Sequence, residues 1–254
     1  MTASPTGRAV IVTGGSRGLG LGIARKLAAS GYAAIAIARR KTEHVAAAIE
    51  EAKRGKTGSL AGALHFVPFD LAAIDKIPDL VRGLRRDFGP IYGLVNNAAL
   101  GTDGVLATMH NAKIEALIRV NTVSPIVLTK YVVRTMMAEG GGRIVNVSSI
   151  IGFTGYSGLS VYAATKASML GFTRSLAREV GRLGVNVNAV APGFMETEMT
   201  QGLEGEQRRK VARRSALRRL AEVDDVANAV EFLLGQGGKS ITGTVLTVDA
   251  GSTA

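Results

Sequence analysis

Seven short runs of apolar, often β-branched residues alternate along this chain with longer segments whose apolar positions recur at helical spacing. No other feature constrains the fold as strongly. Runs that are apolar throughout belong to strands buried on both faces, and parallel strands need a helical crossover to return to the same end of a sheet. Strands are expected at Ala9–Thr13, Ala33–Ala38, Leu64–Pro68, Gly93–Asn96, Arg143–Ser148, Val185–Val190 and Thr244–Val248, most of them bounded by Gly, Pro or Asn. Helical periodicity covers Leu19–Ala29, Glu43–Arg54, Ile74–Phe88, Ala112–Met137, Val161–Gly181 and Val223–Leu234. Pro125 has no amide hydrogen to donate and is expected to kink or interrupt the fourth helix. The stretch from about 194 to 220 is polar, charged and weakly periodic, so it reads as an insertion before the last helix, a usual place for a lid. With no linker and no repeat, residues 1–254 are expected to form one α/β domain, a doubly wound, seven-stranded parallel sheet flanked by helices.

Composition excludes several classes of function. There are no cysteines, which removes disulfides, thiolate catalysis and cysteine-held metals, and fits a reducing cytoplasm. His44, His65 and His110 stand apart from one another and from carboxylates at ligand spacing, so no metal site is expected. Met136 and Met137 read as helix core, and Met195 and Met199 as pliable lid packing. Residues Met1 to Gly7 carry no basic start followed by an apolar core, and no secretory signal is expected. The uncharged stretch Ile144–Thr165 is broken by Asn146, Ser148, Ser149 and several glycines, which a membrane span would not tolerate. Asn146-Val147-Ser148 matches a glycosylation sequon inside an apolar strand pattern and is read as chance.

The formal net charge is +11, which raises the question of nucleic acid. Basic residues are dispersed except for Arg208, Arg209, Lys210, Arg213, Arg214, Arg218 and Arg219, a run containing no acid. No aromatic residues interleave with it to stack on bases, so a nucleic-acid partner is not expected. A solvated helix face, and attraction of an anionic substrate or acidic partner, both remain open for this run.

Two constellations carry chemistry. After the first strand comes Thr13-Gly14-Gly15-Ser16-Arg17-Gly18-Leu19-Gly20, entering a helix. Glycines let backbone approach a pyrophosphate, and the helix start offers unpaired amides and a positive dipole end, which makes this turn a dinucleotide site candidate. Its spacing, Gly-x-x-x-Gly-x-Gly, differs from Gly-x-Gly-x-x-Gly, and a purely structural turn is the competing reading. The second strand ends at Ala38 and runs into Arg39 and Arg40 with no carboxylate to hold a ribose 2′-hydroxyl. With Arg17 these cations suit a 2′-phosphate, which favours NADPH over NADH. The second constellation is Ser149 with Tyr162 and Lys166. The last two are four residues apart and so share a helix face. There an ammonium is expected to lower the phenol pKa, so that Tyr162 acts as general acid while the Ser149 hydroxyl holds the same oxygen.

Taken in order, these motifs with Asn96-Asn97-Ala98-Ala99, Asn121, and Pro192-Gly193 followed by Thr197 resemble the short-chain dehydrogenase/reductase family over essentially the whole chain. The resemblance implies a Rossmann-type fold, a catalytic set of Asn121, Ser149, Tyr162 and Lys166, and a role for Asn121 in anchoring a proton-relay water. It implies cofactor contacts from Gly14, Ser16, Arg17, Gly18, Leu19, Gly20, Arg39, Arg40, Asp70, Leu71, Asn97, Ala98, Tyr162, Lys166, Pro192, Gly193 and Thr197. Ala99 departs from the glycine usual in the family, and Ala38 from the acid of NAD-preferring members. The segment Pro192–Thr200 resembles in particular the 3-oxoacyl-acyl-carrier-protein reductases, which implies NADPH-dependent reduction of a 3-oxoacyl thioester linked to acyl carrier protein or CoA. Arg134 matches a position where such reductases present arginine to an acidic carrier protein, and Arg182 lies near a second. A homotetramer is also implied, with the fourth and fifth helices packing against their mates. Reduction of a free ketone, sugar or steroid-like substrate stays open, as does a non-catalytic, NADPH-binding regulatory role.

Overall fold

The computed structural model describes residues 7–54, 62–101, 104–195 and 205–254, without side chains for residues 205–208. Seven parallel strands form one sheet in the order β3-β2-β1-β4-β5-β6-β7. They are β1 (Ala9–Thr13), β2 (Ala33–Ala38), β3 (Ala63–Pro68), β4 (Ile91–Asn96), β5 (Gly142–Val147), β6 (Val185–Pro192) and β7 (Val245–Val248). The order reverses between β1 and β4, which pair with Val12 opposite Val95. The connections leaving these two strands therefore diverge to opposite faces and open a crevice at their carboxyl ends.

Alternation along each strand assigns the faces. Val10, Val12, Ala34, Ala36, Val145 and Val190 pack against α1 (Gly18–Ala29), α2 (Glu43–Arg54) and α9 (Val223–Leu234). Ala9, Ile11, Ile35, Ile37, Ile144 and Val187 pack against α3 (Ile77–Phe88), α5 (Ser124–Ala138) and α7 (Ser160–Val180). Covering both faces explains why the strand sequences are apolar throughout; each Leu or Ile so buried contributes about 1.5–3 kcal/mol.

One expected interruption and two departures from expectation bear on function. The fourth helix is two helices, α4 (Asn111–Ile118) and α5, joined by a π turn at Arg119–Val123. The break precedes Pro125, which is accommodated in the first turn of α5, where a missing N–H costs little. The Ser124 N–H reaches back five residues to the Arg119 carbonyl, and the widened turn holds Asn121. Secondly, the polar 194–220 stretch contains α8 (Gly205–Arg214) beside the isolated bridge between Met195 and Ala221. Among its residues with described side chains, Arg209, Lys210, Arg213 and Arg214 leave only Val211 and Ala212 as apolar positions, too few to show a helical period, which is why the sequence concealed it. Thirdly, Met137 is exposed while Met136 is fully buried, so only one of the pair is core.

Candidate active site

The turn between β1 and α1 is shaped by close contact and handedness. Gly20 abuts the Gly14 carbonyl and the Asn97 amide with no space for a side chain. Gly18 takes φ +52° and faces open space, so only a backbone amide stands between that space and the helix. The start of α1 has no side-chain cap and no acid in its first turn. An anion presented there meets unpaired N–H groups and the positive end of the helix dipole. These features fit a dinucleotide pyrophosphate. Ser16 is buried, and its carbonyl accepts the Thr42 hydroxyl at 2.5 Å, while Thr42 Oγ1 also accepts the Val45 N–H at the start of α2. Thr42 thus ties the turn to the end of β2. There Arg39 and Arg40 lie exposed, as does Arg17 in the turn.

Across the strand-order reversal, Thr13 and Asn97 lock β1 to β4. The Thr13 hydroxyl accepts the N–H groups of Asn97 (2.9 Å) and Ala98 (3.0 Å), and the Asn97 amide donates to the Thr13 carbonyl at 2.9 Å. Beyond β3, the exposed Asp70 carboxylate accepts the Ala72 N–H, and half-buried Leu71 offers its carbonyl to the fully buried Ser124 hydroxyl at 2.8 Å. That bond fixes the Asp70–Leu71 turn against the start of α5.

α7 sets Lys166 beside Tyr162 and against the end of β5, two residues before Ser149. Lys166 is 5% exposed, and its Nζ donates to the Val147 carbonyl at 2.8 Å while lying 5.7 Å from the Tyr162 ring centroid. Ser149 follows β5 by two residues, and its Oγ accepts the Ile151 N–H at 3.3 Å as α6 (Ile151–Thr154) begins. The neighbouring hydroxyl, Ser148 Oγ, turns inward to the Lys166 carbonyl. Burial pushes the Tyr162 phenol up to about 12 and the Lys166 ammonium down to about 8. The direction is opposite to the lowered phenol pKa expected from the sequence: its cause is desolvation, and the Lys166 Nζ is turned to the Val147 carbonyl. The phenol therefore holds its proton at neutral pH, the state required of an acid.

Asn121 is 3% exposed and its side chain is fully engaged. Its Oδ1 accepts the Leu100 N–H at 2.7 Å, and its Nδ2 donates to the Leu100 carbonyl at 2.9 Å and to Thr165 Oγ1 at 3.2 Å. The amide thus joins the segment after β4 to the π turn and α7. At the end of β6, Ile150 N–H bonds to the Pro192 carbonyl and Gly193 N–H to the Val248 carbonyl, which places Pro192 and Gly193 beside the Ser149 segment. Thr197, Glu196 and Met199 lie outside the described residues.

Sequence reasoning missed Thr42 and Thr13, although a threonine just before a helix and another ending the first strand were legible as capping and bonding groups. It also passed over Asn146, which is fully buried and bonds to Asn96 and Thr173. That burial gives the apparent sequon a structural use. His65 packs on Phe88 with centroids 4.9 Å apart, and no cluster of metal-ligating residues occurs among the described residues.

The short chain dehydrogenase family matches residues 8–208. The 3-oxoacyl-acyl-carrier-protein reductase FabG of Escherichia coli K12 is 38% identical over 245 residues, 96% of this chain and 97% of that protein. A short chain dehydrogenase from Burkholderia cenocepacia J2315, solved with NADP, superposes with a TM-score of 0.89 at 33% identity, covering 99% of this chain and all of that one. A blue fluorescent protein from a metagenomic library, solved with NADPH, gives 0.90 at 31% identity, covering 99% and 100%. A crevice at the strand-order reversal, a glycine turn that admits a pyrophosphate and a match across four-fifths of its length place this chain in the short chain dehydrogenase family.

Proposed function

We propose that this protein is an NADPH-dependent oxidoreductase that reduces the ketone of a 3-oxoacyl thioester to the 3-hydroxyacyl thioester. The observation that carries the reading is buried Lys166, whose Nζ sits on the Val147 carbonyl at the end of β5 and lies 5.7 Å from the Tyr162 ring centroid. The fold supports the cofactor and the E. coli relative supports the substrate. NADPH, when bound, supplies the hydride that reduces the carbonyl carbon.

Tyr162, whose phenol holds its proton at neutral pH, donates the proton that the carbonyl oxygen acquires. Ser149 Oγ holds that oxygen in line, and the Lys166 ammonium stabilises the phenolate left behind and binds the ribose on the nicotinamide side. The Asn121 carbonyl holds the water that returns a proton to Tyr162. Gly14, Ser16, Gly18, Leu19 and Gly20 cradle the pyrophosphate, and Arg17, Arg39 and Arg40 surround the 2′-phosphate. Asp70 and Leu71 flank the adenine, while Asn97, Ala98, Pro192, Gly193 and Thr197 border the remaining cofactor. Residues 194–220 serve as the lid.

The assembly is a cytoplasmic homotetramer, supported by exposed Ile118, Val123 and Ile126 along α4, the π turn and α5. Exposed Arg134 and Arg182 support contact with acyl carrier protein. The test is cofactor oxidation with acetoacetyl-CoA and a panel of free ketones, each with NADPH and NADH. Thioester turnover with NADPH is expected; turnover of free ketones alone would keep the mechanism and overturn the acyl substrate.

A further inference from the structure

The cationic run has an architecture that the reaction above does not use. An open cavity of about 410 Å³ lies between α8 and the start of α9, lined by Arg209, Ala212, Arg219, Leu220, Ala221, Glu222 and Val223. The bridge from Ala221 to Met195 joins its wall to the segment that leaves β6 just after Pro192 and Gly193, so the cavity adjoins the carboxyl-end crevice. Among the described residues its wall carries the charges of Arg209, Arg219 and Glu222, with Asp225 behind Arg219. The Glu222 carboxylate accepts the Asp225 N–H as part of the cap of α9, and Asp225 accepts Arg219 Nη1 at 2.7 Å. These two carboxylates are thus oriented by the helix start, and each keeps its negative charge. Arg209 has no ion-pair partner among the described residues, and Arg213, one turn along α8, repeats its charge on the same helix face.

The walls are also held in place before any ligand arrives. Ser215 is 2% exposed, and its hydroxyl lies between the Ala212 and Arg219 carbonyls at 2.8 and 2.7 Å. Arg218 adopts φ +55°, a conformation costly for a side-chain-bearing residue, and its guanidinium closes the end of α8 on the Arg213 carbonyl at 2.5 Å. Arg219, fixed by Asp225 and the Leu220 carbonyl through Nη1, retains other N–H donors on Nε and Nη2.

We propose that this cavity is a subsite for the phosphorylated nucleotide end of a CoA thioester, an inference that rests on the thioester reading above. Ala212, Leu220, Ala221 and Val223 give an apolar surface for a nucleobase, and Arg209 and Arg219 give forked donors for its phosphates. An open cavity of about 410 Å³ suits a small ligand rather than the broad face of a carrier protein. CoA places its anionic nucleotide and its acyl group at opposite ends of one flexible arm, so binding here would retain the substrate while the acyl end reaches Tyr162.

The experiment compares acetoacetyl-CoA with acetoacetyl-pantetheine, which lacks the nucleotide and every phosphate, in the wild type and in Arg209→Glu. The wild type should show a KM about tenfold or more lower for the CoA thioester, as expected for a charge-assisted contact to phosphate. Arg209→Glu should remove most of that difference. Equal KM values in the wild type, or a difference that survives Arg209→Glu, would overturn the proposal and leave the reductase reading intact. A KM that rises in Arg209→Glu for acetoacetyl-carrier protein but not for acetoacetyl-CoA would overturn it in favour of a protein surface. Calorimetry with free CoA, at saturating NADP to block the cofactor crevice, gives a readout independent of turnover. If neither thioester is reduced, Arg209-dependent CoA binding upholds the subsite while the reductase reading fails, and absence of binding overturns the subsite as well.

Discussion

Gly20 lies against Asn97 so closely that a Cβ on the glycine would stand 2.5 Å from the asparagine Nδ2, and closer still to the Gly14 carbonyl oxygen. The contact joins the first turn of α1 to the loop leaving β4, across the crevice where the strand order reverses. Gly20→Ala must push the two apart, at a cost of about 1–3 kcal/mol. We expect a lower Tm and weaker NADPH binding, measured by thermal melting and fluorescence titration. A Tm and affinity equal to the wild type would show that the loop yields freely.

Tyr162→Phe removes the proposed acid while keeping the ring that packs beside Lys166. NADPH affinity should hold within about twofold and turnover should fall by about 100-fold or more, in line with the contribution of general acids. Steady-state kinetics and cofactor titration read the two effects separately, and retained turnover would contradict the assignment of Tyr162.

Arg39 and Arg40 stand exposed at the end of β2, where no carboxylate is present. Arg39→Ala should raise the KM for NADPH about tenfold or more, the worth of a charge-assisted phosphate contact, and leave that for NADH little changed. Equal changes for the two cofactors would remove Arg39 from the phosphate site.

Lys166 carries a pH signature. Burial lowers its pKa from 10.5 to about 8, so between these values the unfolded chain holds a proton that the folded chain has released. Folding stability from this residue therefore rises with pH across that window, and the full gain is present above about 10.5 and lost as pH falls through about 8. The shift is worth about 3 kcal/mol at about 1.4 kcal/mol per pKa unit. Urea unfolding of the cofactor-free wild type and Lys166→Met should show the stability difference moving by that order in favour of the wild type between pH 7 and 11. A difference that stays constant with pH would mean that Lys166 is solvated.

Strand and helix positions were legible because their signals are local: β2, α2 and α9 fall where apolar period and breakers place them. The glycine turn, and the pairing of Tyr162 with Lys166 on one face of α7, follow from spacing alone for the same reason. What the chain order could not decide is set by contacts between distant segments. Asn121 bonds to Leu100, Thr42 to Ser16, and the Thr13 hydroxyl to residues more than eighty positions away. The ionisation of the site belongs to this second class. Proximity in a helix suggests that Lys166 lowers the Tyr162 pKa, yet the folded environment raises it, because desolvation depends on every element that closes over the phenol. The amino-acid sequence by itself therefore determined which groups are present and which share a helix or strand face. Only the tertiary structure decided how deeply each is buried, and burial sets the free energy of its charge.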